Sequence, residues 1–250
     1  MNYPDIPDEY ANFADAIKAT LKESIKIKLS CNSTVTKWQS KVGGTPYLPL
    51  EQQYPLNSNG EPLLFLAQLN FSEIPHIEDL PEKGIVEFYI DGNDDLMGLE
   101  NNGFKVLYFE DIVQNDAELQ TSGCNNWTFP IGPFEEDASY SMSFNLENQY
   151  ISASDYRFNN IMNFEENWEM YDEYSLLFPS NGHRIGGYPF FTQTDPRADS
   201  EVLKDYELLF QLDSDKDIMW GDMGVGSFFI KPDDLKELNF SNVFYNWDCT

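Results

Sequence analysis

Cysteine and histidine are scarce in this chain, and positive charge is scarcer still relative to negative. Cys31, Cys124 and Cys249 are the three cysteines in 250 residues, and no C-x-x-C pair occurs. An odd, scattered set argues against a disulfide framework and against a zinc site built on thiolates. His76 and His183 are the two histidines, and no G-x-S-x-G elbow is present, which leaves little material for nucleophilic chemistry built on an imidazole. No apolar run approaches about 18 residues, so no membrane-crossing helix is expected. The start, Met1-Asn2-Tyr3-Pro4-Asp5, lacks the apolar stretch of a secretory signal, and a reduced cytoplasm is the expected compartment. Lys and Arg number 15 against 43 Asp and Glu, a net charge of −28. That imbalance excludes phosphate backbones and anionic membrane surfaces as natural partners. Basic proteins and metal cations are the partners that such a charge favours.

The apolar content is 41% and the aromatic content 15%, enough at this length to bury an ample core without covalent staples. The most informative stretch is Lys41-Val42-Gly43-Gly44-Thr45-Pro46-Tyr47, because it returns as Arg184-Ile185-Gly186-Gly187-Tyr188-Pro189-Phe190. Each copy reads basic, apolar, Gly, Gly, any residue, Pro, aromatic. Three further landmarks follow each copy in the same order. Phe65-Leu66-Ala67-Gln68-Leu69-Asn70 matches Leu208-Leu209-Phe210-Gln211-Leu212-Asp213. The strand pattern Ile85 to Ile90 matches Val225 to Ile230, and Val106-Leu107-Tyr108 matches Val243-Phe244-Tyr245. Four ordered matches point to two related halves.

Taken in order, Ile6, Tyr10, Phe13, Ile17 and Leu21 recur at helical spacing, which predicts a helix over about 5–24. Ile25, Ile27 and Leu29 then alternate with Lys26 and Lys28 as a half-buried strand with a solvated lysine face. Leu63 to Leu69 reads as a strand buried on both faces, with the amide of Gln68 requiring a hydrogen-bond partner inside it. Phe104 to Phe109 is a further strand. Cys124 to Pro130 reads as loop or edge segment, and Tyr140, Met142 and Phe144 predict a short strand. Phe158, Ile161, Met162, Trp168, Tyr171 and Tyr174 form the core stripe of a helical region over 155–176, interrupted near Glu165-Glu166 and capped by Ser154 or Asp155. Pro232 to Leu238 predicts a short helix and Val243 to Trp247 a closing strand.

Two acidic loops open like calcium sites. Asp213-Ser214-Asp215-Lys216-Asp217 has Ile218 and Gly224 where an EF-hand needs Gly and Glu, and Asp91-Gly92-Asn93-Asp94-Asp95 has Leu96 and Asn102 there, so both fail the motif. The Gly-Gly loops lack the spacing of phosphate cradles, and Pro46 blocks a helix directly after the first. His76 is expected at the surface. His183 is the more interesting histidine because it abuts Arg184 and the second loop, yet its expected role is structural.

The stretches Ser40 to Pro49, Pro62 to Leu69, His183 to Pro189, Leu208 to Asp215 and Trp220-Gly221-Asp222-Met223-Gly224 together resemble the YwqG-like family of bacterial proteins, from about Ile25 to the end of the chain. The resemblance implies a mixed α and β fold dominated by strands, and it brings no established activity.

The sequence thus predicts a single α+β domain over 1–250, dominated by strands. Its parts are an N-terminal helix at about 5–24, one half over about 25–145, a helical linker over about 146–180 and a second half over about 181–250. The leading expectation is a non-catalytic cytoplasmic binding module for a basic protein or small ligand, with no cofactor or metal. An enzyme with a site between the Gly-Gly loops and a structural scaffold are the alternatives. The residues expected to line a site are Gly43, Gly44, Gln68, His183, Arg184, Gly186, Gly187, Gln211, Trp220 and Asp222.

Overall fold

The structure, a computed structural model, describes residues 5–31, 34–100, 103–120, 127–135 and 137–250. Its strands are β1 (Lys22–Cys31), β2 (Lys41–Gly43), β3 (Leu64–Asn70), β4 (Ile85–Ile90), β5 (Phe104–Phe109), β6 (Ser139–Gln149), β7 (Arg184–Gly186), β8 (Glu207–Asp213), β9 (Val225–Ile230) and β10 (Phe244–Asp248). Among the described residues they form one 10-stranded sheet in the order β10-β9-β8-β7-β1-β6-β2-β3-β4-β5. The named pairs are antiparallel.

The order is balanced about the central β1–β6 pair. On one side β7 to β10 form a meander, and on the other β2 to β5 form its counterpart. Registers agree between the sides over their first three strands, whereas the expected match of Val106 with Val243 is out by two residues, since Phe88 faces Val106 and its counterpart Phe228 faces Tyr245. Lys41 faces Gln68 and Arg184 faces Gln211. Gln68 then faces Glu87, and Gln211 faces Ser227. A bulge interrupts β3 between Phe65 and Ala67, and another interrupts β8 between Leu208 and Phe210. The leading strands are exchanged: β1 pairs with β7, while β6 pairs with β2.

The sheet curls until its two meanders face one another. Phe88 of β4 stacks on Phe210 of β8 at 4.9 Å and meets Phe228 of β9 at 4.6 Å. The outermost strands also touch, with Phe104 of β5 at 5.4 Å from Tyr245 of β10. The Tyr245 hydroxyl and the Trp247 indole N–H donate to Met97 O and Leu96 O, at 3.1 and 2.6 Å. The near-barrel is therefore closed at this seam by rings and side-chain hydrogen bonds. Alternation explains the double burial of β4. Val86, Phe88 and Ile90 enter this central core, whereas Ile85 and Tyr89 enter small clusters on the outer face. Each such large apolar side chain contributes roughly 1.5–3 kcal/mol by leaving water.

The helices are shorter than the periodicity predicts. The N-terminal segment holds a 3-10 turn at Asp8–Tyr10 and the helix α1 (Ala14–Lys18). The Thr20 hydroxyl then donates to Ile17 O at 2.6 Å, and pairing with β6 recruits Lys22 to Ser24 into β1. The linker holds a 3-10 turn at Tyr156–Asn160, capped by Asp155, and the helix α2 (Phe164–Leu177), which is non-helical at Asn167. That break rotates Trp168 out of the expected stripe, and it is 58% exposed. Phe158, Met162 and Tyr174 do pack, with Tyr10, Ile17 and Tyr188, into a second core. The short strand expected at Tyr140 to Phe144 is β6, whose length comes from pairing with the whole of β1 and which runs through position 146. The expected C-terminal helix is α3 (Pro232–Lys236). Of the stretch 124–130, residues 124–126 lie outside the described residues. No helix among the described residues is long and apolar enough to cross a membrane.

Candidate functional site

Each Gly-Gly pair makes a corner where a short strand leaves the sheet. Gly43 and Gly44 have φ of 64° and 71°, and Gly186 and Gly187 have 65° and 72°, a left-handed conformation that suits glycine. Space enforces the choice as well. A Cβ on Gly43 would stand 2.3 Å from Ala138 O, and one on Gly187 would stand 2.3 Å from the Gln149 side-chain oxygen.

Behind each corner a buried glutamine staples the loops together. Gln68 accepts from Tyr47 N at 2.9 Å and donates to Lys37 O and Gln39 O at 2.7 and 2.8 Å. Gln211 accepts from Phe190 N at 2.8 Å and donates to Ser180 O and Gly182 O at 3.0 and 2.8 Å. Both amides are fully buried. The residue before each basic position also has one job in both places. Ser40 Oγ accepts from Asn70 N at 2.9 Å, and His183 Nδ1 accepts from Asp213 N at 3.0 Å. With Nδ1 accepting, the ring proton sits on Nε2, 3.2 Å from Asp215 Oδ2. His183 is thus a strand-end fastener.

The basic residues differ in their surroundings. Lys41 is 1% exposed and donates to Thr36 O and Lys37 O at 3.0 and 2.8 Å. Burial lowers its pKa to about 7. Arg184 is buried, donates to Asn181 O at 3.0 Å, and is lowered to about 10 by burial. Near Lys41 lies Glu87, fully buried, which burial raises to about 8. The Tyr89 hydroxyl donates to its Oε2 at 2.8 Å, and its Oε1 has no partner. The corresponding place in the other meander holds Ser227.

Two clefts open at the corners. The larger, about 540 Å³, lies over Gly43, Gly44 and Thr45. Tyr54, Phe65, Trp127, Phe129 and Phe134 give it an aromatic wall, and Thr36, Lys37, Asp116, Asp137 and Ser139 give it polar edges. Tyr54 and Trp127 meet edge to face at 4.4 Å. The smaller, about 310 Å³, lies over Gly186 and Gly187, with Leu208, Ile230 and Leu235 in its wall and Glu23, Glu78, Asp79 and Glu207 among its acids.

The residues anticipated from sequence divide between these places. Gly43 and Gly44 line the larger cleft, and Gly186 and Gly187 the smaller. Gln68, His183, Arg184, Gln211 and Trp220 are buried, and Asp222 is exposed. They do not meet in one pocket. The aromatic wall and Lys37 escaped sequence reading because, apart from Phe65 of β3, they come from several separate loops.

A partly buried ionic network was missed too. Asp155 pairs with Arg157 at 2.7 Å and with Arg197 at 2.9 Å, Arg197 pairs with Asp195 at 2.6 Å, and Glu207 takes Arg157 at 2.5 Å and Lys22 at 2.9 Å. Its signal was a repeated Asp-x-Arg, at Asp155 to Arg157 and Asp195 to Arg197, where each Asp also accepts the N–H of its own Arg. Three cations meet three carboxylates, so the network is neutral and fastens the linker onto β8.

No curated protein gives a significant match to this chain. A family model does match, over residues 40–249, and its description is a domain of unknown function, DUF1963. That span holds both Gly-Gly corners and both stapling glutamines, while Lys37 and Gln39, whose carbonyls Gln68 grips, lie just before it, and the chain belongs to the DUF1963 family.

Proposed function

We propose that the protein is a non-catalytic binding module and that its ligand lies in the cleft over Gly43 and Gly44. The observation that carries this is the cleft itself. At about 540 Å³ it falls in the range of small-molecule sites, roughly 300–1,000 Å³, and it combines aromatic surface with a few polar groups in the manner of such sites. Its charged groups among the described lining residues are Lys37, Asp116 and Asp137, with neither imidazole nor thiol. The enzyme alternative needed the two loops, His183 and Asp222 in one pocket, and their dispersal favours binding over catalysis.

Native mass spectrometry of the whole protein after exposure to a small-metabolite extract tests this reading. A retained small molecule that is lost in the Thr45→Tyr variant is expected. An extract that leaves no adduct on the wild type sinks it.

The charge of −28 supports a second reading, in which a basic protein docks on the acidic surface of a cytoplasmic partner. Binding of a lysine-rich peptide at low salt and its release at high salt would be expected, and indifference to salt would count against it. Within the DUF1963 family, we read the chain as one of the YwqG-like proteins, a reading that its Gly-Gly-x-Pro stretches support. Descent of both halves from one copied unit belongs to the same reading, supported by matched registers, bulges and glutamine staples.

A further inference from the structure

The helix α2 carries apolar residues on two sides. Tyr174 and the following Phe178 belong to the second core, and Tyr171 packs against it. The Tyr174 hydroxyl donates to Ile151 O at 3.0 Å and the Tyr171 hydroxyl to Ala153 O, so this side holds the helix in place. The opposite side consists of Trp168, Glu169, Asp172, Glu173, Leu176 and Leu177, all exposed. Their spacing makes two parallel rows along one face, Trp168-Asp172-Leu176 and Glu169-Glu173-Leu177. Leu176 is 83% exposed and Leu177 46%. Apolar side chains exposed singly are ordinary, but three on one helix face, a tryptophan among them, form a patch.

The charge of this face has one sign. Among the described residues no cation pairs with Glu169, Asp172 or Glu173. The last turn of α2 has no basic residue either, so the negative end of the helix lacks the cation that ordinarily complements it. These features choose among occupants. A second copy would set the same carboxylates against one another, and an anionic membrane surface would meet the same repulsion. A basic amphipathic helix matches both parts of the face: its apolar side covers Trp168, Leu176 and Leu177, and its flanking cations meet the three carboxylates and the helix end. Resting on the reading above in which a basic protein is the partner, we infer that this face of α2 is where it docks, through a basic amphipathic helix. Trp168 is the anchor, as tryptophans commonly are at binding hot spots.

The test uses the full chain and a helical peptide of about 18 leucine and lysine residues, apolar on one side and basic on the other. A second peptide has the same composition with its leucines scattered round the helix. By fluorescence anisotropy the amphipathic peptide is expected to bind at least about tenfold more tightly than the scattered one, and Trp168→Ala to weaken it by about as much. Leu176→Ser serves the same purpose if Trp168→Ala impairs folding. Glu169→Gln, Asp172→Asn and Glu173→Gln together should weaken binding at low salt far more than Glu78→Gln, Asp79→Asn and Glu82→Gln together, which neutralise exposed acids between β3 and β4. If the peptide binds, is released by salt and ignores every substitution on α2, the docking inference fails while the acidic-surface reading stands. If neither peptide binds at any salt, both fail. Equal binding of the two peptides overturns the inference, and so does a dimer in sedimentation that Trp168→Ala dissolves, since the face would then belong to a second copy.

Discussion

The two Gly-Gly corners share a backbone and differ in what covers them. Their glycine angles, glutamine staples and strand registers coincide. At the second corner the position between Gly-Gly and Pro is Tyr188, which packs into the linker core and donates its hydroxyl to Thr20 O at 2.6 Å. Gln149 fills the corner from the sheet side, accepting from Tyr188 N at 3.0 Å. At the first corner that position is Thr45, and the larger cleft stands above it. The same framework is thus partly roofed by a helical layer in one place, where a cleft of about 310 Å³ remains, and left more open in the other, at about 540 Å³. Fold is carried by what the corners have in common, and the proposed binding site belongs to where they differ.

The strongest way to break this comparison is to remove the cover of the second corner. Arg197 is fully buried between Asp195 and Asp155. Arg197→Met leaves two buried carboxylates short of a partner and should destabilise the protein by about 3–5 kcal/mol. Urea unfolding measures it, and a loss below about 1 kcal/mol would show that the linker is not held by this network.

Next in size is the staple. Gln68→Ala and Gln211→Ala each remove three hydrogen bonds and leave buried backbone groups without partners, for an expected loss of about 2–4 kcal/mol. Near-equal losses sharpen the equivalence of the corners. A loss confined to one glutamine would mean that the shared geometry does not carry shared energetics.

Much of this framework could be read from sequence because its signals are local. The Gly-Gly pairs need positive φ, the runs at Ile85 to Ile90 and Val225 to Ile230 have strand periodicity, and Gln68 and Gln211 stand out as amides in apolar strands. Even the fastening by His183 follows from its place beside the corner. What could not be read depends on partners far along the chain. The length of β6 is set by β1, more than 100 residues earlier in some of its contacts. The ionic network joins two Asp-x-Arg segments with no shared periodicity. The cleft gathers Lys37, Tyr54 and Trp127 from loops whose sequences carry no pattern, whereas the break of α2 at Asn167 falls beside the interruption of the aromatic stripe near Glu165-Glu166.

A smaller effect, and one of opposite sign, is expected at Glu87, which has no counterpart at the second corner. Burial raises its pKa to about 8. A carboxyl whose folded pKa is raised holds its proton more tightly when folded. Its contribution is therefore complete below the ordinary value of about 4.5 and is lost as pH rises towards 8. Glu87→Gln keeps an acceptor for the Tyr89 hydroxyl and removes the ionisable group. The variant should match the wild type near pH 5 and exceed it by about 1–3 kcal/mol at pH 8. Parallel stability curves across this range would show that Glu87 does not titrate with folding.

The smallest expected change in stability comes from converting the first corner into the second. Thr45→Tyr places at the first corner the residue that the second already has in the same Gly-Gly-x-Pro setting, so the backbone accepts it. The new ring enters an existing cleft, which avoids both overpacking and cavity formation. Stability should change by less than about 1 kcal/mol, while the cleft loses much of its volume and its ligand. That separation of folding from binding is the decisive property. A variant that keeps its melting temperature and still binds as the wild type does would remove the functional distinction drawn between the corners. One that unfolds would show that Thr45, and not open space, is what the first corner requires.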